Sequence, residues 1–157
     1  MVTQQPIDWV LLSYRIPREP STPRIAVWRK LKELGVAQVG DGLVALPHDA
    51  RTREHLEWVA ARVIEADGQA IVWIASPGRK RDGETLARDM RAERDAEYRE
   101  LIAEVGEAVE VDGRAVSRWR RQLRRIGRRD YFRAPHRDEA RLAIDDVVQR
   151  SVDRALS

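Results

Sequence analysis

The residues with the greatest chemical potential lie between positions 118 and 129. There Arg118, Arg120, Arg121, Arg124, Arg125, Arg128 and Arg129 fall within twelve positions that contain no Asp or Glu. Guanidinium groups present planar forks of N–H donors that match phosphate and carboxylate oxygens. If the segment is helical, Trp119, Leu123 and Ile126 recur at spacings of four and three and face inward. The arginines are then left on a broad outer face able to neutralise several phosphates, which is the expected DNA-binding surface. The alternative is a fold-back onto the acidic stretch before it, with guanidinium and carboxylate groups pairing along the seam. Each exposed pair of that kind is worth about 0 to 1 kcal/mol. A helix has two flanks, so both uses can coexist.

A second basic group, Arg15, Arg18, Arg24 and Arg29, surrounds the passage from a first strand into a first helix. A helix start offers unpaired N–H groups and the positive end of a dipole, which makes an oxyanion a candidate ligand there. The alternative is that these arginines are solvated or paired with Glu19 and Glu33. Groups for catalysis are sparse. His48, Asp49 and His55 read as a helix cap beside surface histidines rather than as metal ligands, and His136 stands near the start of a last helix. There is no Gly-rich phosphate loop and no Ser-His-Asp pattern. The absence of cysteine excludes disulfides, thiolate zinc sites, cysteine nucleophiles and thiol redox sensing. We expect no catalytic residue, no metal and no cofactor.

The elements that must position these groups follow from hydropathy and punctuation. Asp8–Arg15 reads as a buried strand. Thr22 and Pro23 read as an N-cap and first helical residue, followed by inward Ile25, Trp28, Leu31 and Leu34 until Gly35. Val36–Pro47 reads as a hairpin about Gly40-Asp41-Gly42. Asp49–Asp67 reads as a helix burying Leu56, Val59, Ala60, Val63 and Ile64, ended by Gly68, and Gln69–Ser76 as a fourth strand. The order strand, helix, strand, strand, helix, strand is the ferredoxin-like split βαβ plan, an antiparallel sheet with two helices on one face.

Beyond Ser76-Pro77-Gly78 the pattern turns helical. An acidic helix over Asp82–Asp112 carries an apolar stripe of Leu86, Met90, Leu101, Ile102, Val105 and Val109. A basic segment over Arg114–Arg141 follows, and a last helix from about Pro135 to Leu156 turns Ile144, Val147, Val148 and Val152 toward a core. The expected class is therefore α+β, with a ferredoxin-like domain over residues 1–77 and a helical extension over 78–157 packed on it as one compact unit. The five tryptophans, Trp9, Trp28, Trp58, Trp73 and Trp119, are expected in cores.

Composition sets the outer bounds. The chain has 157 residues, 43% hydrophobic and 35% charged, which suits one compact domain and excludes disorder throughout. The net charge of +3 hides a skew, because the 29 basic residues are all arginine except Lys30, Lys32 and Lys80. Codon bias toward arginine and oxyanion recognition both account for it. No apolar run approaches about 20 residues, and Met1–Val10 lacks a leader pattern, so a cytoplasmic protein with no membrane partner is expected.

Trp9-Val10-Leu11-Leu12-Ser13-Tyr14-Arg15-Ile16-Pro17-Arg18-Glu19-Pro20-Ser21, with Arg24, Val27-Trp28-Arg29-Lys30-Leu31 and Leu34-Gly35, resembles the N-terminal domain of the ChrB chromate-resistance regulators. The resemblance continues through Asp41-Gly42 and Leu46-Pro47 and returns at Arg125-Ile126, Arg129-Asp130-Tyr131-Phe132, Ala134-Pro135 and Arg137. It implies a chromate-responsive transcriptional regulator of genes for a chromate exporter, with promoter DNA as partner and chromate or a related oxyanion as effector. A homodimer is a further expected partner state, and family members commonly carry an additional C-terminal ChrB domain. The first half also resembles the ferredoxin-like domain of phenylacetate-pathway repressors and of small CRISPR-associated nucleases. Those nucleases place an aspartate at the end of the first strand, where this chain reads Tyr14-Arg15-Ile16. Without cysteine, chromate sensing would fall to Arg18, Arg24 and Arg29 with backbone N–H groups. The rival reading is a protein-interaction or dimerisation module of a chromate-resistance system that does not bind DNA.

Overall fold

A computed structural model describes residues 7–157; the first six residues of the Met1–Val10 stretch, read as lacking a leader pattern, lie outside the described residues. Strand β1 (Trp9–Arg15) is followed by α1 (Ser21–Leu34), β2 (Ala37–Gly40), β3 (Leu43–Pro47), α2 (Ala50–Glu65) and β4 (Gln69–Ala75). Three helices complete the chain: α3 (Lys80–Glu107), α4 (Gly113–Arg129) and α5 (Arg137–Leu156). The strands form one antiparallel sheet in the order β2-β3-β1-β4, the ferredoxin-like arrangement. The fold is thus α+β, with the strands early and a helical C-terminal half. Packing divides the chain into two compact units, one ending at Ala87 and the other spanning Arg88–Ser157.

In the first unit, apolar alternation puts Val10 and Leu12 of β1 and Val44 and Leu46 of β3 on one buried face. Helix α2 lies against β1 and β4 and packs on α1. Its start is secured by a capping box, in which the Asp49 carboxylate accepts from the Thr52 amide at 2.7 Å and the Thr52 hydroxyl accepts from the Asp49 amide at 2.9 Å. These bonds hold the Asp49 carboxyl below its usual range, the Thr52 amide contributing most. The hairpin turns at Asp41-Gly42. Gly42 has φ 67°, its carbonyl accepts from the Tyr14 amide at 2.8 Å, and a Cβ there would collide with the Tyr14 carbonyl oxygen.

Several expectations are corrected. Helix α1 starts at Ser21 with Pro20 at the N-cap position and no side-chain cap, so Thr22 and Pro23 lie inside the first turn, where a missing N–H costs nothing. The face that α1 buries is Val27, Leu31 and Leu34. Ile25 and Trp28 are 46% and 55% exposed, because two packed helices cover only one narrow seam. Ile64 of α2 is exposed for the same reason. The acidic helix ends at Glu107, which leaves Val109 in the connector, 91% exposed.

Only Trp9 and Trp119 of the five tryptophans are buried. Trp73 lies on the sheet face that also carries Leu11 and Ser13, its indole N–H donating to the Ser13 hydroxyl at 2.9 Å. Trp28 and Trp58 lie on the helical layer under cations, Lys32 at 4.8 Å from the Trp28 ring and Lys30 and Arg62 at 5.3 and 5.1 Å from Trp58. An indole can be tolerated at a surface when a long cationic stem covers it. The Gly42 geometry makes a direct prediction: Gly42→Ala lowers the stability of the chain by about 1–3 kcal/mol, measured by urea denaturation.

Candidate nucleic-acid interface

Helix α4 is built in the second unit around an apolar seam. Ala115, Trp119 and Ile126 are buried, with Leu123 packed beside them, against Tyr98, Leu101 and Val105 of α3 and Ala140, Ile144 and Val147 of α5. Asp112 caps the helix, its carboxylate accepting from the Ala115 amide at 2.8 Å. Ala108 to Asp112 form the connector that lets the chain reverse after α3.

With the seam buried, the arginines sort by angle. At about 100° per residue, Arg114, Arg121, Arg124, Arg125 and Arg128 cluster opposite the seam, Arg120 falls on its α5 flank, and Arg118 and Arg129 fall on its α3 flank, Arg118 beside Glu100, Glu104 and Glu107. The structure uses the flanks and leaves the centre open. Arg129 makes a two-pronged contact with Glu97 of α3, at 2.8 and 3.0 Å, and only 14% of its side chain is exposed. Arg94 Nε lies 2.8 Å from the same carboxylate. Arg120 approaches Asp145 of α5 at 3.8 Å. Arg118 and the five central arginines are exposed and form no ion pair among the described residues. They span about 21 Å of helix at 1.5 Å per residue. Arg114 was missing from the sequence-read set, although it lies one turn before Arg118 on the same acid-free row.

A polar network fixes the exit of α4. The Tyr98 hydroxyl donates to Asp130 at 3.0 Å, and the same carboxylate accepts from the Ala134 amide. Asp95 accepts from the His136 amide at 2.8 Å and faces His136 Nδ1 at 2.8 Å. Burial, together with the Asp130 carboxylate, raises the Tyr98 hydroxyl pKa well above its ordinary range. These partners are 32 and 41 residues apart in sequence, and no local pattern announces them.

The second arginine group is less convergent. Arg15 and Arg18 are exposed at the end of β1 and in the loop after it, and Arg24 and Arg29 are exposed on α1. Arg24 lies close enough to Tyr14 to lower the pKa of its hydroxyl, against a larger upward effect of burial. Arg24 and Arg29 are five positions apart, about 140° around the axis, so they serve different directions. Glu33 pairs with Lys30 at 3.8 Å, and none of the four arginines is ion-paired among the described residues. No cluster of His, Asp or Glu suited to a metal ion occurs among the described residues, and none of their helices is long and apolar enough to cross a membrane.

The family model described as "Protein ChrB, N-terminal" matches residues 24–112. The chain belongs to the ChrB N-terminal family. A relative, "Protein ChrB" of Cupriavidus metallidurans, is 31% identical over 100 residues, a region covering 64% of this chain and 30% of that protein. No solved structure matches. The ChrB match runs from α1 to the Asp112 cap, and the arginine stripe begins directly after it.

The buried Tyr98 hydroxyl makes the stability of the chain depend on alkaline pH. Tyr98 has its folded pKa raised above 10.0, so its contribution to stability is complete below pH 10 and is lost at higher pH, where the unfolded chain gains by ionising. Tyr98→Phe therefore shows a smaller alkaline loss of stability above pH 10 than the parent. At pH 7 it is less stable by about 1.5–3 kcal/mol, because a bond to a charged acceptor is removed. Urea titrations at pH 7 and above pH 10 check both.

Proposed function

We propose that this ChrB-family protein is a non-enzymatic, cytoplasmic, chromate-responsive transcriptional regulator that grips promoter DNA through the outer face of α4. The observation that carries the reading is the row of six exposed arginines on α4, none ion-paired among the described residues, turned outward by a buried Trp119 seam. A major groove about 12 Å wide admits one α-helix, and arginines along such a helix reach phosphates and the guanine edge. Because Arg120 and Arg129 are engaged at the flanks, the DNA-contacting set reduces to Arg114, Arg118, Arg121, Arg124, Arg125 and Arg128.

Fluorescence anisotropy of labelled DNA from the upstream region of the protein's own gene tests this. Six phosphate contacts give a slope of log affinity against log salt of about −5.4, and Arg121→Ala with Arg125→Ala reduces it to about −3.6. A salt-insensitive affinity, or none at low salt, overturns the DNA reading.

Chromate is proposed as the effector, held electrostatically by Arg18 and Arg24 where β1 passes into α1, with Arg15 and Arg29 adding positive charge from farther off. Chromate then releases the DNA and sulfate does not, and Arg18→Ala with Arg24→Ala abolishes the response while leaving binding intact. An unchanged response removes these residues from the effector site.

A second reading, an interaction module of a chromate-resistance system that binds no DNA, is favoured by one observation. A groove of about 310 Å³ between α1 and α2 is lined by Pro23, Ala26, Val27, Trp58 and Val59. An apolar interface there would respond little to salt, so the same titration separates the two.

A further inference from the structure

The two edges of the sheet are unlike. Strand β2 has four residues and a register shift between Gln38 and Gly40, and both features discourage pairing with another strand. Strand β4 is the other edge and has none of the usual protections. Its seven residues, Gln69 to Ala75, include no charge and no proline, and they pair with β1 in unbroken register from Arg15↔Gln69 to Trp9↔Ala75. Its outer N–H and C=O groups have no backbone partner among the described residues. Three of its large apolar side chains, Ile71, Trp73 and Ile74, are 54%, 49% and 47% exposed. A long, regular, uncharged apolar edge is a template for another strand.

We propose that β4 pairs antiparallel with β4 of a second copy about a two-fold axis at Val72, joining two four-stranded sheets into one of eight strands. This inference does not rest on DNA binding. An isologous pairing requires a strand complementary to itself, and β4 meets that condition. With Val72 opposite its own copy, Ile71 faces Trp73 of the second copy on one side of the sheet, and Trp73 faces Ile71. Ile74 meets Ala70, and Gln69 meets Ala75. Aromatic against β-branched is a favoured cross-strand pair. Because β4 has no charged residue, the symmetry places no like charges opposite each other. The hydrogen bond from Trp73 to Ser13 already orients the indole on that face.

The test uses the full chain, whose lack of cysteine makes a single introduced thiol unambiguous. Sedimentation velocity across a dilution series gives a species of twice 18.1 kDa for the parent. Ile71→Glu, with unchanged far-UV circular dichroism, gives the single mass. Under mild oxidation Val72→Cys forms a covalent dimer. Gln69→Cys does not, since the two copies of that residue are about 20 Å apart at 3.3 Å per residue. Should Ile71→Glu unfold, the thiol pair still decides. A parent that is monomeric throughout, a dimer untouched by Ile71→Glu in a folded chain, or cross-linking at Gln69→Cys without Val72→Cys overturns the proposal.

Discussion

A guanidinium group cannot be left unpaired in an apolar interior, and eight of the seventeen residues of α4 carry one. That constraint determines how the helix lies. With Ala115, Trp119 and Ile126 on one seam, only one rotation about the axis buries the apolar groups and keeps the cations wet. Arg129 and Arg120 meet carboxylates on α3 and α5, which makes the seam more specific than apolar contact alone would. The other six are left outward by exclusion. A positively charged face is thus a by-product of core packing, and its rigidity comes from the same contacts that orient it.

The exit of α4 obeys a related rule. The turn from Asp130 to His136 has backbone amides with no helical partners, and buried amides must be satisfied. Asp130 and Asp95 accept from the Ala134 and His136 amides, and Tyr98 in turn donates to Asp130. Asp95 on α3 and Asp130 at the end of α4 therefore act as structural acceptors. The acidic composition of α3 reflects partner supply as well as solubility.

In the first unit, the sheet is covered unevenly. The face beneath the helices is closed by Val10, Leu12, Val44 and Leu46, but Ile71 and Trp73 on the opposite face stay exposed. Apolar character and burial are separate properties, as Trp28 and Trp58 also show. Both indoles are stacked against cations at the surface of the helical layer. Residues that elementary hydropathy assigns to a core here form an outer surface available for association.

The order of elements, the hairpin at Asp41-Gly42, the α2 cap at Asp49 and the inward seam of α4 were all legible in the sequence. Each depends on residues within a few positions of one another: periodicity, a turn dipeptide, a capping carboxylate. The arginine cluster was legible as a list of residues, and Arg114 could have been added by extending the same helical row. What the sequence could not decide was which cations are spent within the fold and which tryptophans are buried. Arg129 with Glu97, Asp130 with Tyr98 and His136 with Asp95 join positions more than thirty apart. Likewise, whether Trp28, Trp58 or Trp73 lies in a core depends on what another element places over it. Local patterns dictate elements because their energies are local, whereas the assignment of partners awaits the packing that brings distant groups within reach.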